Sequence, residues 1–220
     1  VAHVLVVCAR RYNGHELWVA LGVMKQRGHT FELISTDYVI QDEITMRPNR
    51  IKRIIDEVDA IEIEEGKFDA FMIVSGNMAD TEAYWKHERV LTYIGTANAM
   101  SLPIAAICCS VPTIRGAAGG KKVSFFPLVR SRKLLSEAGA DLQTVALTRD
   151  RNLVTAEHQM ASQMWADEFC NLIEGLEPTY TFTDSGYTPK GRERMPIPEV
   201  EALRIKMGRE PIKIRKAKDV

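Results

Sequence analysis

Two hydrophobic rhythms alternate along the chain. Short continuous apolar runs recur between longer segments whose apolar residues fall three or four apart. Residues 3–8, HVLVVC, make an unbroken apolar run of strand length. Residues 15–27 carry the helical period, with Leu17, Ala20, Val23 and Met24 on one face. Gly28 follows as a helix C-cap. Residues 30–35 predict a second strand, and residues 46–65 look helical in part, around RIKRIIDEV. Phe68 to Val74 predict a third strand. Residues 81–99 predict a helix offering Tyr84, Val90, Leu91 and Ile94 for packing. Pro103 opens IAAIC, a fourth strand, and a helix starting near Cys109 to Thr113 should end at Gly119 and Gly120. Lys122 to Phe126 reads as another short strand. Residues 142–147 and 152–155 flank the polar turn RDRN and predict a hairpin. Residues 160–174 form the last helix, with Met164, Phe169 and Leu172 inward.

Strands without polar alternation are buried on both faces. Strands that alternate with helices imply crossover connections and a mostly parallel sheet. The expected fold is therefore α/β: a flavodoxin-like three-layer sandwich. In such sheets ligands bind beyond the carboxyl ends of the strands, so residues just after each strand carry the candidate chemistry. After the first run come Arg10, Arg11, His15 and Glu16. Ser75, Gly76, Asn77 and Asp80 follow the third. Cys108, Cys109 and Ser110 follow the fourth, and Glu157 and His158 follow the hairpin.

Cys108 stands out among these. It ends a buried strand and precedes a helix, the setting of a nucleophile elbow. A helix N-terminus favours the thiolate, which lowers a thiol's pKa. The free N–H groups of such a turn can hold a developing oxyanion. A small buried cysteine is the plain alternative, but position at the elbow favours the nucleophile. Glu16 opens the first helix. It is either a surface carboxylate favoured by the helix dipole or an acid–base partner reaching over the sheet edge to Cys108. His158 is a loop histidine or a proton shuttle for Cys108, and His15 is a weaker candidate of the same kind. Arg10, Arg11 and Asn77 could hold a substrate carboxylate or carbonyl, with solvent-facing arginines as the competing reading. His3, His29 and His87 read as structural or surface residues, and Cys8 and Cys170 as core thiols.

Composition sharpens this picture without redirecting it. The chain has 220 residues, 45% hydrophobic and 26% charged, which suits one globular domain with an appendage. No apolar run approaches the length of a membrane span. The first residues lack the basic lead of a signal peptide. Four cysteines, two of them adjacent, do not form a disulfide framework. A cytoplasmic location is the resulting expectation. No GxGxxG or GxxxxGK[ST] pattern follows a strand, so no dinucleotide or nucleoside triphosphate cofactor is expected. Absence of CxxC, HExxH or paired-histidine spacing argues against a metal site.

The net charge of zero is a sum of two unlike segments. From Gly186 to Val220 there are ten Lys/Arg and five Asp/Glu, and four of the nine prolines. That stretch carries +5, so the first 185 residues carry −5. The expected organisation is a domain over 1–176 and a basic, Pro-containing extension over 177–220. EVEALRIKMG is the one stretch there with helical periodicity. Wrapping a neighbouring subunit is the expected use of the extension. Nucleic acid is not expected as a partner, because aromatics are not interleaved with the basic residues.

The runs FDAFMIVSGN, PIAAICCSVPTI, KKVSFFPL, EAGADLQ and RDRNLVTAEH follow one another in an order that resembles the ThiJ/PfpI (DJ-1) superfamily, relatives of the class I glutamine amidotransferases. The resemblance covers roughly residues 3–175. It implies the flavodoxin-like fold, Cys108 as elbow nucleophile and Glu16 as the carboxylate that contacts it. It also implies Gly76 and the Cys109 amide as oxyanion donors, and assembly as a homodimer or larger oligomer. Five features depart from the family pattern: Cys109 follows the nucleophile where peptidase-like members carry His, Phe126 stands where the DJ-1 branch has His, Ser75-Gly76 replaces the usual Gly-Gly turn, Ser110-Val111 replaces the usual Gly-Pro, and Met160 stands where the amidotransferase His-x-Glu has its Glu. The expected function is cofactor-independent cysteine chemistry on a small electrophile, by hydrolysis, hydration or a glyoxalase-like rearrangement. A non-catalytic, redox-sensing protein is the alternative.

Overall fold

The structure is a computed structural model that describes residues 1–183 and 186–189, with side chains through Tyr180. From the N-terminus, β1 (His3–Cys8) leads through the two-residue β2 (Arg11–Tyr12) into α1 (Gly14–Gln26), and β3 (Thr30–Ser35) follows. A hairpin of β4 (Val39–Asp42) and β5 (Pro48–Arg50) precedes β6 (Arg53–Ile54) and α2 (Ala60–Glu64). Next come β7 (Ala70–Val74), α3 (Met78–Tyr84), α4 (Glu88–Ala99) and β8 (Ile104–Ile107). A 3-10 turn (Cys108–Ile114) then leads to α5 (Arg115–Ala118), β9 (Lys122–Ser124), α6 (Val129–Glu137) and β10 (Asp141–Gln143). Last come β11 (Leu147–Asp150), β12 (Leu153–Ala156), α7 (Ser162–Ile173) and the hairpin β13 (Tyr180–Thr183) and β14 (Gly186–Pro189).

The central sheet has seven strands in the order β11-β12-β8-β7-β1-β3-β6. Every neighbouring pair is parallel except β11 with β12. Parallel neighbours need crossovers, and the crossovers place helices on both faces. The consequence is visible along β1. Val4, Val6 and Cys8 pack on one side with Leu17 and Met24 of α1 and Trp165 and Phe169 of α7. Leu5 and Val7 pack on the other with Tyr93 and Ile94 of α4 and Leu135 of α6. Both sides of the strand are core, which is why its sequence shows no polar alternation. Each fully buried Val or Leu contributes about 1.5–3 kcal/mol.

The expected three-layer α/β sandwich is the observed fold, with several local departures. The stretch RIKRIIDEV is not helical. It forms β6 and a 3-10 turn (Ile55–Glu57), because the open edge of β3 takes Arg53 and Ile54 as pairing partners and Ile55 is buried in the core. Helix 81–99 is two helices, α3 and α4, broken between Tyr84 and Glu88. Beyond Cys108 the backbone runs as a seven-residue 3-10 turn rather than an α-helix. Pro112 within it has no N–H to donate, and a 3-10 segment tolerates that loss better than a long α-helix. The strand at Lys122 stops at Ser124. The hairpin uses 147–150 and 153–156, while Asp141–Gln143 pairs with β9 in a separate two-stranded sheet. Helix α6 has no counterpart in the sequence reading, because it buries only Ser131 and Leu135 and so lacks an apolar stripe. The last helix starts at Ser162, after a 3-10 turn at Gln159–Ala161. Met164 and Leu172 are only partly buried there, and Trp165 and Phe169 provide the inward face.

At the C-terminal end, Oε1 of the buried Glu168 accepts the backbone N–H groups of Thr179 (2.6 Å) and Tyr180 (3.1 Å). This fixes the start of the β13–β14 hairpin, which the sequence did not suggest. The expected helix at EVEALRIKMG and the subunit-wrapping role lie outside the described residues. No helix among the described residues is long and apolar enough to cross a membrane.

Candidate active site

The carboxyl ends of β1, β7, β8 and β12 meet along one edge of the sheet. Ile107 ends β8 in extended geometry, and Cys108 turns abruptly to φ 57°. A non-glycine residue in this left-handed region costs about 1–3 kcal/mol and persists only where its surroundings enforce it. Ser110 supplies part of that enforcement. Its fully buried Oγ accepts the Ile107 N–H (3.1 Å) and lies 2.7 Å from the Ile107 carbonyl and 3.0 Å from the Ile73 carbonyl. One hydroxyl thus ties the turn to both β8 and β7.

Glu16 reaches the same place from α1. The helix is capped by Asn13, whose Oδ1 accepts the N–H groups of His15 and Glu16, each at 3.1 Å. The Glu16 side chain is fully buried, so the surface alternative does not hold. Its Oε2 accepts both the N–H (3.0 Å) and the hydroxyl (2.7 Å) of Ser75. Its Oε1 is buried without a hydrogen-bond partner. Burial, and then the negative charge available on Cys108, push this carboxyl well above the ordinary glutamate value, while the Ser75 donors pull the other way. Because Oε2 already accepts twice, a proton on this carboxyl belongs on Oε1 and makes that atom a donor.

The two cysteines touch. Cys108 Sγ lies 3.7 Å from Cys109 Sγ. Their thiols titrate as a pair. The S–H of Cys108 donating to the neighbouring sulfur lowers the Cys109 pKa, and the same contact together with burial raises that of Cys108. The contact lowers the first ionisation of the pair and raises the second. This corrects the expectation that the turn alone would lower the Cys108 thiol, since a thiol–thiolate contact outweighs the weak dipole of a short 3-10 turn. The Cys109 amide donates toward the Cys108 sulfur and favours its charged form. Trp85, in the break between α3 and α4, fixes the turn from outside by donating Nε1–H to the Cys109 carbonyl (2.9 Å).

Gly76 sits where no side chain fits. A Cβ there would lie 2.0 Å from the Arg11 carbonyl oxygen and 2.6 Å from Tyr12 Cα. The close approach is the pairing of the β2 segment with the end of β7, in which Asn77 N–H donates to the Arg11 carbonyl (2.7 Å). The Gly76 N–H, expected as an oxyanion donor, donates to Thr81 Oγ1 at 3.1 Å in this structure.

The remaining expected residues fall around this centre with different engagements. Asn77 caps α3, and its Oδ1 accepts Ala79 N–H and Arg11 Nη2–H. Arg11 is committed to Asp80 (Nε to Oδ2, 2.8 Å), which holds the Asp80 carboxyl below its ordinary value. Arg10 is half exposed, 3.9 Å from Asp80, and lines an open cavity of about 350 Å³ with Arg11, Asp37 and Gln41. His15 is exposed on α1. His158 is also exposed; its Nδ1 accepts Met160 N–H (3.3 Å) and its ring lies 6.0 Å from that of Phe126. Neither histidine is hydrogen-bonded to Cys108, so the structure does not show the expected shuttle contact.

Several residues at this edge escaped the sequence reading. Ser75 stood among the strand-end residues, but its two hydrogen bonds to Glu16 were not foreseen. Asn13 Nδ2 donates to Glu43 Oε1 (2.9 Å) and Gln159 Oε1 (2.5 Å), joining α1 to the β4–β5 hairpin and to the turn before α7. Glu43 is raised by burial, against the Asn13 hydrogen bond. An Asn just ahead of a helical period is an N-cap signature, so Asn13 could have been found. Glu43 and Gln159 come from 30 and 146 residues away and leave no local signal. Among the described residues, no group of three or more His, Cys, Asp or Glu is placed to hold a metal ion.

Comparison with known proteins gives one consistent result. The DJ-1/PfpI family model matches residues 2–172. An uncharacterised protein of Methanocaldococcus jannaschii is 22% identical over 173 residues, covering 77% of this chain and 81% of its own. Among solved structures, a ThiJ/PfpI domain protein from Brachyspira murdochii superposes with a TM-score of 0.68 at 18% identity, over 80% of this chain and 98% of its own. Oxidised DJ-1 from Toxoplasma gondii gives a TM-score of 0.66 at 16% identity, over 79% and 91%. At these identities the structural likeness speaks for the fold.

Proposed function

The chain belongs to the DJ-1/PfpI family, and from that premise we propose that it is a cofactor-independent enzyme whose Cys108 thiolate adds to a small electrophile. The observation that carries the reading is the buried Glu16 Oε1, left without a protein partner beside a cysteine held in left-handed backbone. Leaving a buried polar atom unpaired and a backbone strained costs stability, and such features cluster at reactive sites.

In this mechanism the first proton leaves the Cys108–Cys109 pair, and proton exchange between the sulfurs places the negative charge on Cys108. The thiolate adds to a carbonyl, amide or nitrile-like carbon, and electrons move onto the oxygen or nitrogen. Glu16 Oε1–H protonates the leaving nitrogen of an amide, the nitrogen of a nitrile adduct or the oxygen of an aldehyde adduct. The amine departs as the C–N bond breaks, or, for an aldehyde bearing a neighbouring carbonyl, the Glu16 carboxylate takes the carbon-bound proton and returns it to that neighbouring carbon. Water then adds at the carbon held by sulfur, its proton passes to Glu16, and the C–S bond breaks to restore the Cys108 thiolate. The Cys109 amide supports the developing charge. Gly76 would join it by exchanging Thr81 Oγ1 for substrate. His158 would assist by turning its ring away from Met160, and Arg10 would meet an anionic group at the rim. Hydrolysis, hydration and a glyoxalase-like rearrangement all fit this sequence of steps. Assembly as a homodimer or larger oligomer is part of the same proposal, checked by light scattering of the full chain.

Cys108→Ala should lower turnover of a reactive carbonyl, amide or nitrile by at least about 10³-fold with an unchanged unfolding midpoint; covalent catalysis lost with its nucleophile justifies that scale. Retained turnover would sink the reading. The contact between the two sulfurs favours a second reading, redox sensing without turnover, in which Cys108 is the oxidised residue, and the T. gondii relative was solved in oxidised form.

A further inference from the structure

We propose that Cys109 is a resolving thiol, which closes a reversible disulfide onto Cys108 when Cys108 is oxidised by a hydroperoxide. The inference rests on Cys108 being the reactive thiol, as proposed above, and gives its neighbour a separate task.

The geometry places the two sulfurs 3.7 Å apart, already close to van der Waals contact. Bond formation requires approach to about 2.05 Å. No other cysteine competes. Cys8 and Cys170 are fully buried core thiols whose pKa values are pushed up by burial, that of Cys170 to about 12. The two partners also differ in the way the task requires. Cys108 is partly exposed and can meet a peroxide, whereas Cys109 is 5% exposed and meets Cys108 first. Cys109 already lies against the Cys108 sulfur, so it is the first thiol that a sulfenic Cys108 meets, and its thiolate is the form that attacks.

The Cys108 thiolate attacks the hydroperoxide, the O–O bond breaks, and sulfenic acid forms on Cys108. The departing alkoxide or hydroxide takes a proton from Glu16 and leaves as alcohol or water. Cys109 sulfur then attacks the Cys108 sulfur, the S–O bond breaks, and hydroxide leaves with the remaining thiol proton as water. The two cysteines lose two electrons and the peroxide gains them. Adjacent residues have Cα atoms about 3.8 Å apart, short of the usual disulfide span of about 4.4–6.8 Å. The bridge is therefore strained and readily reduced. An external thiol restores both cysteines, and closure spares Cys108 from irreversible oxidation.

The test uses the full reduced chain and equimolar hydrogen peroxide, read by intact mass and peptide mapping. The expected product is lighter by about 2 Da. It has lost two of its four thiols to maleimide labelling, with the link mapped to residues 108 and 109, and dithiothreitol restores both. In Cys109→Ser the expected product with one peroxide equivalent is heavier by about 16 Da at Cys108 and with a second equivalent by about 32 Da, and dithiothreitol does not remove the sulfinate. Addition of oxygens to Cys108 in the unaltered chain with Cys109 still free would overturn the inference. So would a dithiothreitol-sensitive product about 2 Da lighter in Cys109→Ser. Iodoacetamide labelling of the reduced chain separates the two proposals. Fast alkylation at Cys108 without a disulfide overturns only the resolving role, and slow alkylation at Cys108 overturns both.

Discussion

Glu62 and Glu16 occupy the same local position, the first turn of a helix, and come to opposite electrostatic states. Glu62, at the sheet edge, is surrounded by donors. Arg53 reaches it from two nitrogens (3.0 and 2.5 Å), Lys67 pairs with it, and the Asp59 N–H donates to it at 3.0 Å. The Arg53 guanidinium, first among these, lowers its carboxyl to about 2. Glu16 has no cation within hydrogen-bonding reach. Both Ser75 donors fall on one oxygen, the other is unpaired, and burial raises its carboxyl. Glu62 ties β6 to α2 and serves the fold. Glu16 withholds one oxygen from the fold, and that oxygen is what a reaction can use.

The contrast breaks first at Glu16. Glu16→Gln keeps the acceptor for Ser75 and removes the acid, so turnover should fall by at least about 10²-fold, the usual scale for a lost general acid. Stability should change in a distinctive way. Above about pH 4.5 the unfolded chain has released this proton while the folded chain retains it, so the folded state is progressively disfavoured as pH rises until Glu16 ionises. Urea melts between pH 5 and 7 should therefore show a negative slope in the unaltered chain that Glu16→Gln flattens; equal slopes would show that burial does not hold this proton.

A second comparison is between strain and function at the turn. Cys108→Gly suits φ 57° and should raise stability by about 1 kcal/mol while removing the nucleophile. A destabilised variant in the same melts would show that the Cys108 side chain contributes more by packing than its backbone costs.

The smallest effect belongs to Glu62. Its depressed pKa contributes stability that is complete above about pH 4.5 and lost as pH falls toward 2. Glu62→Gln should cost about 0.5–1 kcal/mol at pH 7, since the network is partly exposed and screened. Turnover should be unchanged. A fall in turnover would mean that the sheet edge and the crevice are coupled.

Much of the fold was legible in the sequence, and the reason is local. β1, β7 and β8 announced themselves because residues buried on both faces leave unbroken apolar runs. Helix α1 did so because one face packs and the other does not. Elements whose identity depends on a distant partner were misread. Arg53 and Ile54 are a strand only because β3 offers them an edge, and α6 buries too little to show a stripe. The site divides along the same line. Cys108 was visible as a residue ending a buried strand, and the family resemblance extended this to Glu16. The Asn13–Glu43–Gln159 bridge was not visible, because its members are far apart in the chain.

The sequence by itself determined the three-layer architecture, the strand ends that gather the candidate residues, and the cysteine at the turn after β8. These follow from burial pattern and from the alternation of strands with helices, both written along the chain. Tertiary structure alone decided the protonation of the groups there. It buried Glu16 and gave one of its oxygens two donors and the other none. It set Cys109 against Cys108 so that the pair shares a proton, and it committed the Gly76 amide to Thr81. A side chain's pKa and its unused hydrogen bonds depend on what surrounds it in space, and that environment is assembled only when β1, β7, β8 and β12 come together.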